Sequence, residues 1–201
     1  MRTVMMTLVV ASLLATPSLG IINVKLIADG PVVDGKVQLA YGATTTIRVM
    51  AQGTSSGILS LAGDVVANTA DPILLTSNPG SGGFPPAFSP PPILQKPGSP
   101  GPNGGWINWG TGQTYWDVPD PNLGRLNYVE VFHYTITGTA PGPGDVHLSI
   151  TLKTVGGYKP LEVDKTAVLG ELTGVTIHVP EPMTLTLLTM AGLVAVRRRR
   201  A

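Results

Sequence analysis

The sequence predicts an all-β protein, an antiparallel β-sandwich of about seven to nine strands, and three observations carry that expectation. The body is rich in Thr, Val, Gly and Pro and poor in Lys and Glu, a composition that suits strands joined by turns. It contains no long stretch with apolar residues at helical spacing. Several segments instead alternate apolar and polar residues with period two, as half-buried strands do.

Taken in order, residues 1–20 read as a signal helix. Met1-Arg2-Thr3 supplies a positive start, residues 4–15 an apolar stretch, and Ser18 and Gly20 place small side chains at −3 and −1 of a cut after Gly20. The sandwich body then runs over 21–178. Segments 21–28 and 35–40 are its first strands, with Asp29-Gly30-Pro31 and Asp34-Gly35 as turns. Segment 43–52 alternates more clearly: Thr45, Ile47, Val49 and Ala51 share one face, and Thr44, Thr46, Arg48, Met50 and Gln52 the other. Segment 58–67 is a further strand, and a turn at Asp71-Pro72 leads to the apolar Ile73-Leu74-Leu75.

Residues 77–105 hold nine prolines and seven glycines in 29 positions. Prolines lack the amide donor and fix φ, so no strand ladder is expected there and the segment reads as a long loop. Trp106, Trp109, Tyr115 and Trp116 follow at once and include every tryptophan of the chain. Flat rings beside Asn108, Thr111, Gln113 and Thr114 make these four the candidate ligand-binding residues, with polysaccharide as the candidate ligand. The competing role is to seal the core, which the presence of only three Phe favours.

Segments 128–137 and 145–153 form the clearest strand pair, read as a hairpin bent through Pro141-Gly142-Pro143. Phe132, Tyr134 and Ile136 face inward in the first, and Val146, Leu148, Ile150 and Leu152 in the second. Segment 172–179 closes the body, with Val175, Ile177 and Val179 on one face.

The tail, 179–201, has three parts: Val179-Pro180-Glu181-Pro182, an apolar run at 183–196, and Arg197, Arg198, Arg199 and Arg200. An apolar helix followed by four guanidinium groups halts in a bilayer with its cationic end on the cytoplasmic side. Its 14 residues span roughly 21 Å as a helix against a hydrocarbon core of about 30 Å, so arginine snorkelling and local thinning complete the fit. This tripartite tail closely resembles the PEP-CTERM sorting signal of Gram-negative bacteria. The resemblance implies an exported protein held transiently in the inner membrane, handled by the secretion machinery and an exosortase, and delivered to the cell surface or beyond. The body resembles the cohesin-like, carbohydrate-binding-module-like sandwich through residues 44–49, 71–75 and the 129–149 hairpin. That resemblance implies a fold and is not extended to the usual dockerin partner.

Charge and motifs narrow the function. Setting aside Arg2 and the four terminal arginines leaves eight basic residues against 12 acidic ones in 21–182, which excludes the basic stripe that nucleic acid needs. With no cysteine there is no disulfide, thiolate metal site or thiol nucleophile. Three histidines, His133, His147 and His178, give no metal-ligand spacing, though the first two are expected to neighbour one another on the hairpin. Residues 117–122 carry oxygens without a calcium-loop pattern. No nucleophile elbow, phosphate loop or zinc-helix motif appears, so no catalytic residue, metal or cofactor is assigned. The expectation is a non-catalytic surface or extracellular-matrix protein, adhesive or polysaccharide-associated. The alternative is a secreted carbohydrate-active enzyme using carboxylates such as Asp117 and Glu130.

Overall fold

The computed structural model describes residues 21–54, 57–68, 74–86, 95–112, 123–139, 144–158 and 168–180. The signal segment, the tail from Glu181 onward, Tyr115, Trp116 and residues 117–122 lie outside the described residues. The strands are β1 (Ile21–Ala28), β2 (Val32–Val33), β3 (Lys36–Gln38), β4 (Thr44–Gly53), β5 (Gly57–Ala67), β6 (Leu75–Ser77), β7 (Ser99–Pro100), β8 (Trp106–Gly112), β9 (Val129–Gly138), β10 (Gly144–Tyr158), β11 (Val168–Thr173) and β12 (Val175–Val179). One sheet has the order β11-β1-β4-β9-β6, the other β2-β3-β12-β10-β5-β8-β7.

Where alternation is complete, the strand and its inward face follow directly. Thr45, Ile47, Val49 and Ala51 of β4 are buried, as are Phe132, Tyr134 and Ile136 of β9 and Val146, Leu148 and Ile150 of β10. All of these except Thr45, whose hydroxyl donates to the Asp29 carbonyl, belong to one apolar core between the sheets. Each fully buried aliphatic side chain contributes about 1.5–3 kcal/mol by transfer from water, and without disulfides that burial is what holds the sheets together.

Three features depart from the expectation. The described residues contain twelve strands, because short strands β2 and β7 add an edge at either end of the second sheet and the last segment is two strands. The break between them is Gly174, where an added Cβ would stand 2.4 Å from the Leu148 carbonyl oxygen. The sheets are also not purely antiparallel: β11 runs parallel to β1, and β3 to β12. Most consequentially, β9 and β10 are not a hairpin. β9 pairs with β4 and β6 in the first sheet, and β10 with β12 and β5 in the second. The link between them therefore crosses from sheet to sheet. Alternation cannot distinguish the two cases, since a hairpin and an inter-sheet arch both turn their apolar residues toward the same core.

The Pro-rich segment is more ordered than its composition implies. Ser99 and Pro100 pair with Ile107 and Trp106, Lys96 bridges to Gly110, and Gly83 bridges to His133. Proline is tolerated because β7 is a sheet edge, where a missing amide donor interrupts no further pairing. Gly98 makes the approach possible: it has φ +74, and a Cβ there would lie 2.4 Å from the Ile107 carbonyl oxygen.

Candidate interaction surface

Trp106 and Trp109 lie in the core, each 1% exposed, so neither ring is an open platform on which a ligand could stack. Strict alternation would send residues three apart to opposite faces. A bulge in β8 reconciles them: the pairing with β5 shifts between Gly63 opposite Trp109 and Val65 opposite Trp106, and Asn108 adopts φ 58. One extra residue in the strand returns the second ring to the first ring's side.

That bulge is clamped from outside. The Asn108 amide donates to Asp64 Oδ1 at 2.7 Å, Lys153 Nζ donates to Asp64 Oδ1 at 2.9 Å, and the same ammonium donates to Asn108 Oδ1 at 3.0 Å. Burial pushes the Asp64 carboxyl up, but the Asn108 amide and Lys153 outweigh it and hold the group below the usual carboxylate range. Inside, Trp109 stacks on Phe132 with centroids 5.2 Å apart and planes at 4°, and Trp106 packs on Tyr134 at 5.0 Å. The aromatic layer thus joins β8 of one sheet to β9 of the other. Trp106 Nε1 donates to the Pro97 carbonyl at 2.6 Å, and the Tyr134 hydroxyl donates to the Gly104 carbonyl at 3.0 Å. Trp109 Nε1 is buried without a hydrogen-bond partner.

The same layer fixes the short 3-10 turn Pro102–Gly104. Asn103 is buried at φ 46, and its Oδ1 accepts from the amides of both Leu74 and Leu75 at 3.0 Å. Ser77 Oγ donates to the Gly105 carbonyl at 2.6 Å. Sequence reading missed these contacts because the partners stand 28 or 29 residues apart.

Titratable groups on the outer faces are paired off in separate clusters. Arg48 donates to Asp29 at 2.8 and 3.2 Å and to Glu130 at 2.6 Å, while Glu130 also meets His133 Nδ1 at 2.7 Å. The Arg48 guanidinium holds the Asp29 carboxyl below its ordinary value, and the two carboxylates raise Arg48 in turn. Glu130 is thus tied into an ion-pair network and not poised as a free acid or base. On the other sheet, Asp145 accepts from Lys36 and sits 2.7 Å from His178 Nδ1, and those contacts lower its carboxyl, Lys36 first. His133 and His147, expected as neighbours, sit on different sheets. Among the described residues no group of three His, Cys, Asp or Glu is placed to hold a metal ion.

What the surface offers is area for contact. Across β5, β8 and β10 lies an open trough of about 370 Å³ whose lining includes Ser60, Ala62, Gln95, Lys96, Gly110 and Lys153. Leu61 and Trp109 also line it, its exposed lining is mostly apolar with a few amides, hydroxyls and ammonium groups, and it holds no carboxylate, so it suits a mixed contact more than acid–base chemistry. At the opposite sheet's edge, β11 and the start of β1 expose Ile21, Val168, Leu169 and Leu172. An edge strand with exposed apolar side chains is a ready surface for another chain.

Compared with solved structures, the fold matches cohesin modules. A type I cohesin–dockerin complex from Clostridium thermocellum aligns with a TM-score of 0.50 at 10% identity, over 79% of this chain and 99% of that one. The sixth cohesin of Acetivibrio cellulolyticus scaffoldin B gives 0.48 at 14% identity, over 78% and 98%. A non-cellulosomal cohesin from Archaeoglobus fulgidus gives 0.45 at 12%, over 79% and 92%. The chain is therefore a cohesin-like β-sandwich. No family model matches the sequence, and no curated protein does.

Proposed function

We propose that this chain is an exported surface or extracellular-matrix protein, sorted through its tail by an exosortase, whose sandwich is a non-catalytic interaction module. The observation that carries the reading is how the last described strand meets the tail in sequence. Val179 is fully buried in β12, and the Pro-Glu-Pro element begins at the next residue, so a folded body passes directly into the tripartite tail without a linker. Address and cargo are thus adjacent in sequence.

The interaction role draws on the fold and on the surface chemistry. Several of the similar cohesins are seen bound to dockerins, which makes a protein partner the first class to test. Pairing of Glu130, Asp29, Asp64 and Asp145 with cations leaves these carboxylates doing structural work. Replacing Pro180, Glu181 and Pro182 together with alanine tests the sorting half in producing cells. The parent chain is expected in the cell-surface or matrix fraction, and the variant in the inner membrane. Identical distribution of the two would overturn the reading.

A further inference from the structure

We infer that the trough over β5, β8 and β10 binds a polysaccharide bearing carboxylate groups, a uronic-acid polymer by chemical class, with the Lys96 ammonium as its anion contact. This rests on the interaction-module reading above and names a ligand class for it. The floor of the trough is built from small residues: Ser60 and Ala62 of β5 stand opposite Gly112 and Gly110 of β8. Ala62 and Gly110 are so close that a Cβ on Gly110 would lie 3.2 Å from the Ala62 Cβ. Four such residues side by side leave a low, open patch. An apolar floor with a few polar groups around it is the usual build of a ligand site, the floor giving contact area and the polar groups fixing orientation.

The polar groups stand on both flanks. On the β8 side Lys96 is fixed by paired backbone bonds with Gly110, each 2.8 Å; on the β10 side Thr154 stands opposite Ala62, with Lys153 next to it. The two ammonium groups differ in what they already hold. Lys153 is engaged by Asp64 at 2.8 Å and by Asn108 Oδ1 at 3.0 Å. Lys96 is exposed and has no ion-pair partner among the described residues, in a body where acidic residues outnumber basic ones. Asp64 balances Lys153, no carboxylate lines the trough, and the charge of Lys96 is left over for a ligand. An extended peptide suits the site less. β5 is paired along both edges, by β10 and β8, and β8 by β5 and β7, so no row of backbone donors and acceptors is free beneath the trough for a strand to join. A polysaccharide needs none: the C–H faces of its rings cover the floor, its hydroxyls meet Ser60, Thr154 and the Asn108 side-chain amide, and a carboxylate pairs with Lys96.

Affinity electrophoresis of the full chain recovered from producing cells, through gels carrying polygalacturonate, dextran or poly-L-glutamate, tests this. Polygalacturonate is expected to retard the protein, less so as salt rises, while dextran and poly-L-glutamate leave its mobility unchanged. Lys96→Gln should weaken the polygalacturonate interaction about 1.5- to 5-fold, the worth of one exposed ion pair. Ala62→Leu, which fills the floor and keeps both ammonium groups, should abolish it, with tryptophan fluorescence in urea showing that each variant is folded. Lys36→Gln removes the same charge beside Asp145 on β3 and should change nothing. Equal retardation by dextran would show that no carboxylate is read, and equal retardation by poly-L-glutamate that charge alone suffices; either overturns the inference. So does the absence of retardation by polygalacturonate, or equal weakening by Lys96→Gln and Lys36→Gln. Each of these failures leaves the sorting reading standing, because cell fractionation tests that reading separately.

Discussion

Removing the Asp64 carboxylate tests whether the bulge at Asn108 is what keeps both tryptophans inside. Asp64 accepts the Asn108 amide at 2.7 Å, and its side chain is 19% exposed against 51% for its ion-pair partner Lys153. A charge-assisted hydrogen bond in that half-shielded position is worth about 1.5–3 kcal/mol. The ion pair with so exposed a lysine adds at most about 1 kcal/mol. Asp64→Ala is therefore expected to cost about 1.5–4 kcal/mol and Lys153→Ala about 0–1 kcal/mol. Urea titration followed by tryptophan fluorescence reads both. Asn108→Gly should be close to neutral, because glycine adopts positive φ without penalty, while Asn108→Val should cost about 1–2 kcal/mol at φ 58. Equal losses from Asp64→Ala and Lys153→Ala would refute the reasoning, since the carboxylate would then act through the ion pair alone.

Other consequences follow from the same packing. Trp109→Ala should lower stability by about 3–5 kcal/mol as a core truncation and leave polysaccharide capture per folded molecule unchanged in a pull-down; lost capture at unchanged stability would return Trp109 to a binding role. Asn103→Ala strands two buried amides at about 1–3 kcal/mol each, so amide exchange at Leu75 should accelerate, and unchanged protection would contradict the assigned bonds. Asp29, Asp64 and Asp145 are all held below the ordinary carboxylate value. Their contribution is fully present above the unfolded value of about 4 and is lost as pH falls through the lower folded values. Urea midpoints should accordingly stay level from about pH 7 to 5 and drop below about pH 4; equal midpoints at pH 3 and 7 would contradict the pairing.

The strands were legible where one face is dry and the other wet. β4 and β10 could be read residue by residue because period-two alternation reports burial directly. Pairing was less legible, because each strand reports only which side is apolar. Nothing in residues 129–149 distinguishes an arch between sheets from a hairpin within one, and so His133 and His147 were expected together and lie apart. The tryptophan pair had two readings, and Trp106 and Trp109 follow the core-sealing one that the scarcity of Phe favoured, though their spacing held a difficulty. A spacing of three in a strand implies opposite faces unless a bulge intervenes, and the usable signal was Asn108, a residue at home in left-handed backbone, set between the two rings. Arg48, by contrast, reads only as a polar-face residue, since its partners Asp29 and Glu130 lie 19 and 82 positions away.

The fold also changes what the tryptophans say about function. A sugar platform needs exposed, roughly coplanar rings, whereas Trp106 and Trp109 bind β8 to Phe132 and Tyr134 of the facing sheet. Among the described residues, surfaces open to a partner include the β11 edge, the β2 edge with exposed Val32 and Val33, and the trough over β5, β8 and β10. Of these, the β11 edge presents its own apolar side chains together with a free strand edge, the combination that β-strand addition uses.

On the proposed reading the sandwich is cargo between two removable addresses. The intact mass of the protein isolated from its native cells tests it most directly. A mature chain that begins at Ile21 and has lost Arg197, Arg198, Arg199 and Arg200 is expected. A fully matured chain that begins at Met1 and still carries Arg200 would contradict it.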